Sequence, residues 1–362
     1  MKMGRSKASP LNNQHIAKTM IDYIEISNCL YKDSPNLSFC NPFSSGWNNY
    51  GYETYKVNGC RDMEVHWNPE NRILKVKGSL PYFLNGHNFA FTTEEYNESI
   101  EILQNWLGVG LWDASVDVFE YGAIFPVDKE AAQYIKNHTA PVKTKLLESI
   151  NGRYRGHFKM WSDANVDLKM YDPARVVKLK QGMKQRTAIE DAGYNPEQDY
   201  LKFEMRVKKP YKLNFGRDIL VEDLQNQDSL NKIQEILLSQ YNRLQPMKEL
   251  LKPTDKKNYN ATDIVVGEFA KVLMNEGKPI AEAKRQIYQA IRDADCLSKQ
   301  DKDSRRNTIK KSFDKLQETE SSEWDVTDKI LESLDNENKP HNEDEEGGVR
   351  FIRTSDKVAE MG

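Results

Sequence analysis

Several residues in the middle of this 362-residue chain are of types that can do chemistry, and their surroundings make them stand out. Asp117 lies in the alternating run Ser115-Val116-Asp117-Val118-Phe119-Glu120, and Glu204 lies in Leu201-Lys202-Phe203-Glu204-Met205-Arg206-Val207. A carboxylate set among strand-forming apolar residues costs stability unless it binds something. Glu120, three residues beyond Asp117, falls on the opposite face of a regular strand and ranks below it. His87 follows Gly86 and precedes Asn88, a glycine-permitted turn with an imidazole that can ligate metal or touch phosphate. Tyr171 closes the alternating run Asp167-Leu168-Lys169-Met170-Tyr171 inside the most basic part of the chain.

Tyrosine, carboxylates and a basic strip together suit phosphodiester chemistry. A tyrosine hydroxyl can attack phosphorus and retain the 5′-phosphate as an ester while a 3′-OH is released. It is a poor nucleophile at neutral pH and needs a divalent cation to offset charge on the phosphate oxygens. Mg2+ or Mn2+ with carboxylate oxygens, and sometimes an imidazole, would serve.

The order and spacing of Gly86-His87-Asn88, Thr92-Thr93-Glu94-Glu95, the run ending at Glu120, Asp167 to Asp172, and Tyr200 to Val207 resemble the filamentous-phage gene II type of replication initiators and related plasmid proteins. The resemblance covers roughly residues 20 to 220 and is strongest from 73 to 217. It implies a tyrosine endonuclease that starts rolling-circle DNA replication. Tyr171 takes the nucleophile position; Asp117, Glu204 and His87 take the metal or phosphate positions. The resemblance also implies origin DNA as substrate, host helicase and polymerase as partners, and the cytoplasm of a bacterial host. Many related initiators carry Lys two residues and Glu about five residues after the tyrosine; here those places hold Pro173 and Val176. Tyr134, on a helix beside Lys136, is the second candidate nucleophile. A plasmid mobilisation relaxase uses the same chemistry, and a non-catalytic DNA-binding regulator on the same fold is the alternative from another class. The His-hydrophobe-His pair of another initiator class is absent, and His66 stands alone.

Charge supports a nucleic-acid partner. Net charge is -3, but residues 317 to 362 hold 14 acidic and 5 basic residues, so the rest of the chain is basic. Residues 141 to 217 hold 17 Lys/Arg against 9 Asp/Glu. Neutralising phosphates with such a strip releases counterions. Lys169, Lys178, Arg206, Lys208, Lys209, Lys212 and Arg217 are the expected DNA contacts, with Tyr211 and Phe215 interleaved for base stacking. Cys29, Cys40, Cys60 and Cys296 lack zinc-type spacing, which points to reduced thiols. No apolar run of membrane-spanning length occurs, and Met1 to Asn13 lacks the apolar core of a secretory signal.

The elements that would position these residues follow from pattern. Met20 to Ile26 alternates as a first strand; residues 32 to 60 read as a long polar loop; 63–67 and 73–76 flank a turn. Thr92 with Glu95 forms a capping box ahead of a helix ending at Gly108. Strands follow at 109–120, 168–171 and 201–207, with a short helix at 128–137. The expected class is α+β: an antiparallel-sheet nuclease domain with helices on one face. The expected division is a polar leader at 1–18, the nuclease domain at 19–217, a helical DNA-binding or accessory domain at 218–316, and an acidic, partly disordered tail at 317–362. No internal repeat is evident in the sequence.

Overall fold

A computed structural model describes residues 19–30, 34–42, 51–58, 60, 63–89, 91–139, 145–148, 155–176, 190, 194–213, 215, 217–248, 259–275, 278–316 and 322–335. Alternating apolar residues build one antiparallel ten-stranded sheet. Its strands are β1 (Thr19–Cys29), β2 (Cys40–Pro42), β3 (Glu53–Val57), β4 (Met63–Asn68), β5 (Ile73–Ser79), β6 (Ser115–Val127), β8 (Lys145–Glu148), β9 (Phe158–Ser162), β10 (Val166–Tyr171) and β11 (Asp199–Val207), with the two-residue β7 (His138–Thr139) outside it. Their order across the sheet is β2-β3-β4-β5-β1-β6-β11-β10-β9-β8. Part of the stretch expected as loop is therefore strand, β2 and β3.

One face of the sheet is apolar. Ile24, Val65, Val76, Phe119, Leu168, Phe203 and Met205 are fully buried there. Helices α1 (Leu80–Asn85), α2 (Thr93–Leu107) and α3 (Ala131–Lys136) share that core. The Thr92 capping box forms as the sequence predicts, and Gly108 closes α2 at φ 67°, where only glycine sits without strain. The class is α+β, as expected.

Beyond residue 217 the packing divides differently from the expected boundaries. Helix α4 (Gln227–Tyr241) buries Leu230, Ile233, Leu237 and Tyr241 in the sheet's core. The short β12 (Gln245–Pro246) pairs with β7. Helices α5 (Ala261–Asn275), α6 (Ile280–Asp293) and α7 (Lys299–Asp314) have a separate core of Val266, Ala270, Leu273, Ala283 and Phe313. Helix α8 (Thr327–Asp335), inside the segment expected as tail, returns to the sheet's core through Val326, Ile330 and Leu334. Those apolar residues on one helical face outweigh the acidic composition around them.

The sheet is an internal duplication, which corrects the sequence reading. β1 followed by the meander β2 to β5 traces the same path as β6 followed by β8 to β11; in each, the last strand returns beside the first. A capped 15-residue helix follows each half, α2 and α4. The halves meet where β1 pairs with β6, Ile24 lies opposite Phe119, and Tyr23↔Glu120 mirrors Glu25↔Val118. Ile21-Asp22-Tyr23-Ile24-Glu25-Ile26 thus matches Val116-Asp117-Val118-Phe119-Glu120-Tyr121 in register, across a pseudo-twofold axis normal to the sheet. Only the Asp and Glu are identical in the six positions, so the repeat is weak in sequence and plain in register. Each half carries a bulge at the equivalent place. Asp22 is the extra residue of one and Asp117 of the other.

Gly122 marks the tightest approach between β6 and β11. A Cβ there would lie 2.5 Å from Glu204 Cβ and 2.6 Å from the Phe203 carbonyl oxygen. Backbone cannot yield as a flexible side chain would. Gly122→Ala should therefore destabilise the protein by about 2–3 kcal/mol, read by urea unfolding. A loss under about 0.5 kcal/mol would show that the strands separate without cost.

Candidate active site

The other face of the sheet is polar, and its centre holds a buried charged cluster. β1 supplies Asp22, β6 supplies Glu120, β10 supplies Lys169 and Tyr171, and β11 supplies Lys202 and Glu204. Cross-strand register puts Lys169 opposite Glu204, Tyr171 opposite Lys202, and Glu204 opposite Gly122. Oxygens of Asp22, Glu120 and Glu204 lie within 4.8 Å of one another. Lys169 donates to Glu120 at 2.6 Å and to Glu204 at 3.0 Å. Lys202, with no exposed surface, donates to Asp22 and lies 3.1 Å from Glu204. Ser79 donates to Asp22 at 2.8 Å.

The Tyr171 hydroxyl donates to Glu204 Oε2 at 3.0 Å and accepts from Asn88 Nδ2 at 3.4 Å. Asn88 Nδ2 also donates to Asp22 at 3.0 Å, while Asn88 Oδ1 is buried with no partner. Burial, reinforced by the charges of Glu204, Asp22 and Glu120, holds the Tyr171 hydroxyl well above the usual tyrosine range. Phe89, Tyr194 and Tyr200 pack edge to face beside the cluster, with centroids 5.1 to 6.0 Å apart.

The electrostatics are those of three buried carboxylates facing two buried ammonium groups. Burial raises Glu120 to about 7, helped by Glu204 and Asp22 and opposed by Lys169. Glu204 goes the other way: burial alone would raise it, but Lys169 and Lys202 outweigh that and hold it low. One proton on Glu120 leaves two carboxylates against two ammonium groups. The folded protein keeps this proton at pH values where an unfolded Glu, ordinarily near 4.5, has lost it. The Glu120 contribution to stability therefore falls as pH rises from about 4.5 to about 7. Glu120→Gln removes that loss, so its melting temperature should rise relative to the parent between pH 5 and pH 8. A pH-independent offset between the two proteins would contradict the assignment.

The sequence-predicted residues separate into three groups. Tyr171, Glu204 and Lys169 come together as expected. Asp117 does not join them: it accepts from Ser27 at 3.0 Å and lies 3.7 Å from Lys75, on the far side of β1. Asp22 stands in its place, and Glu120, ranked lower on the premise of a regular strand, is in the cluster. The Asp117 bulge breaks the alternation, so Asp117 and Glu120 both point to the polar face. His87 is buried next to Asn88 and accepts weakly from the Phe89 amide at 3.4 Å, but it is not among the grouped metal-type ligands. Tyr134 is buried on α3, bonded to Asp128 and packed against Trp324, away from the cluster.

Most of the expected DNA-contacting cations are paired with acids. Arg206 donates to Glu25 at 2.8 Å and lies 3.4 Å from Glu120. Lys208 pairs with Asp167 at 2.7 Å and Arg217 with Asp223 at 2.6 Å. Lys209 and Lys212 have no ion pair among the described residues, and Lys212 only donates to Asn165. They flank Tyr211, which is 60% exposed. Lys178 lies outside the described residues.

The donor set fits a hard divalent cation: three buried carboxylates whose oxygens converge. Lys169 and Lys202 now hold those carboxylates, so a cation would enter by displacing at least one ammonium group. Asp22 was missed in sequence because its strand reads as an ordinary first strand. The signal that could have found it is the repeated Asp-x-x-Glu in two alternating segments. No protein-family model matches this chain, and no curated protein matches it.

Proposed function

We propose that this protein is a rolling-circle DNA replication initiator that nicks one strand at an origin and later rejoins it. The observation that carries the reading is the Tyr171 hydroxyl donating at 3.0 Å to Glu204 inside a cluster of three converging carboxylates. In the nicking step the Tyr171 oxygen attacks phosphorus as the bond from phosphorus to the 3′-oxygen breaks, and the tyrosine proton ends on the departing 3′-oxygen, while Glu204 orients the hydroxyl. The products are a 5′-phosphotyrosine and a free 3′-OH, and the reverse attack by a 3′-OH reseals the strand. Asp22, Glu120 and Glu204 would hold Mg2+ or Mn2+, which when bound supplies positive charge for the phosphate oxygens and lowers the cost of the tyrosine anion. Lys169 and Lys202, once released from their carboxylates, offer cations to the same phosphate. Lys209, Lys212 and Tyr211 receive the neighbouring strand. Origin DNA, a host helicase and a polymerase are the partners, in the cytoplasm of a bacterial host. No described helix is long and apolar enough to cross a membrane.

A second reading, a DNA-binding regulator without nuclease activity, draws on one observation. Tyr171 is 6% exposed, and the charges around it are already paired. Entry of DNA on the nuclease reading displaces Asn88 from the Tyr171 hydroxyl. Covalent capture separates the two. Supercoiled parent replicon is incubated with protein and Mg2+ or Mn2+, denatured in detergent and digested, and the peptides are weighed. A nucleotide adduct on Tyr171 is the expected result. DNA binding with neither adduct nor nicked circles would replace the nuclease with the regulator.

A further inference from the structure

The duplication creates a second place on the polar face equivalent to the tyrosine cluster, and its side chains differ in a chemically directed way. Register carries the equivalence strand by strand. β4 pairs with β5 as β10 pairs with β11, so Lys75 stands where Glu204 stands, Asn68 where Tyr171 stands, and His66 where Lys169 stands. Ser27, opposite Lys75, stands where Gly122 stands, and Asp117 where Asp22 stands. The nucleophile is lost, and the central carboxylate is replaced by an ammonium group.

Asn68 is itself buried, but the surface beside it, at Ser27 and Lys75, is open. A cavity of about 690 Å³ is lined by Ser27, Asn28, Tyr52, Lys75, Gly108 and Gly110 among others, a size ordinary for a small-ligand site. The Lys75 side chain is 44% exposed and 3.7 Å from Asp117, longer than a hydrogen bond, and it lies over the Tyr52 ring at 5.7 Å. It makes no direct hydrogen bond among the described residues, and it lines the cavity. Asp113, at the rim, is held by Asn28 at 3.3 Å.

We propose that this cleft holds one nucleotide of the single-stranded DNA whose scissile phosphate occupies the tyrosine cluster, with Lys75 on its phosphate and Tyr52 under its base. The proposal rests on the nuclease reading for the strand's identity. The cation, the aromatic ring and the cavity are what an unpaired nucleotide requires. Lys75 and Glu204 are three strand spacings apart across the sheet and about six residue rises apart along it, roughly 25 Å in all, so both places lie along one polar surface and a strand of several nucleotides can span them. Asn68 in place of tyrosine makes this half a holder of DNA and not a second cutter.

The test is anisotropy of a fluorescein-labelled single-stranded oligonucleotide from the parent replicon, titrated at several salt concentrations. Lys75→Glu and Tyr52→Ala should each weaken binding by roughly ten-fold. Lys75→Glu should also lessen the salt slope by about 0.7. Tyr52→Phe should restore the affinity, since it keeps the ring, and Lys329→Glu on α8 should leave binding unchanged. Parental affinity and slope in both cleft variants would overturn the proposal. If the parent still forms the Tyr171 adduct in that case, the cleft falls and the nuclease stands. If the parent binds no oligonucleotide and forms no adduct, both fall.

Discussion

Lys202→Ala should destabilise the protein by about 3–5 kcal/mol, the largest stability loss expected of any single change on the polar face. Lys202 has no exposed surface and lies between Asp22 and Glu204, which themselves have almost none. Removing it leaves two buried carboxylates with one ammonium group, Lys169, and opens a cavity at the sheet's centre. The loss should shrink at low pH. Without Lys202 one of the two charges that hold Glu204 low is gone, and protonating Glu204 in acid relieves the uncompensated charge. Urea unfolding at pH 8 and pH 5 checks both the magnitude and its pH dependence. Lys202→Met, which fills the space without the charge, should recover only the cavity part. A loss under about 1 kcal/mol for Lys202→Ala would mean that the ion network does not hold the two halves of the sheet together.

Tyr171→Phe should abolish covalent attachment to DNA, lowering nicking by a factor on the order of 10^4 or more, while costing only about 1 kcal/mol of stability. The ring stays packed near Phe158 and beneath Asn88, and Glu204 keeps both lysines. DNA affinity in the variant should match the parent, because the hydroxyl contributes to the bond-making step and not to holding the strand. Nicking by the variant at a rate within ten-fold of the parent would remove Tyr171 as nucleophile. Glu204→Gln offers a companion measurement. It keeps an acceptor for the tyrosine but removes the charge, so nicking should fall while the hydroxyl's hydrogen bond survives.

Local pattern made much of the scaffold legible. Thr92 and Glu95 cap α2 because a capping box needs only residues three apart, and Gly108 ends it because only glycine sits easily in the left-handed region. The alternation of 166–171 and 201–207 made both strands plain. Their direct pairing, with Tyr171 one strand from Glu204, needed only antiparallel neighbours. The stretch 32–60 hid β2 and β3, since the edge strand β2 and its neighbour β3 are short and lack a buried period. Leu230, Ile233, Leu237 and Tyr241 lie on one face of α4, but nothing local says which core buries them.

The sequence by itself determined that a carboxylate, a tyrosine and lysines would share the polar face of one sheet, because strand period places residues two apart on the same side. Only the tertiary structure decided which aspartate joins them. Ile21 to Ile26 and Val116 to Tyr121 carry Asp and Glu at the same spacing, and no local rule separates Asp22 from Asp117. Each is the extra residue of a bulge on one of the two central strands, and each reaches across its neighbour into the opposite half. Asp22 on β1 therefore meets Lys202 beyond β6, and Asp117 on β6 meets Lys75 beyond β1. The choice is made by the antiparallel pairing of β1 with β6, a contact between residues about 95 apart in the chain, which no local pattern can encode.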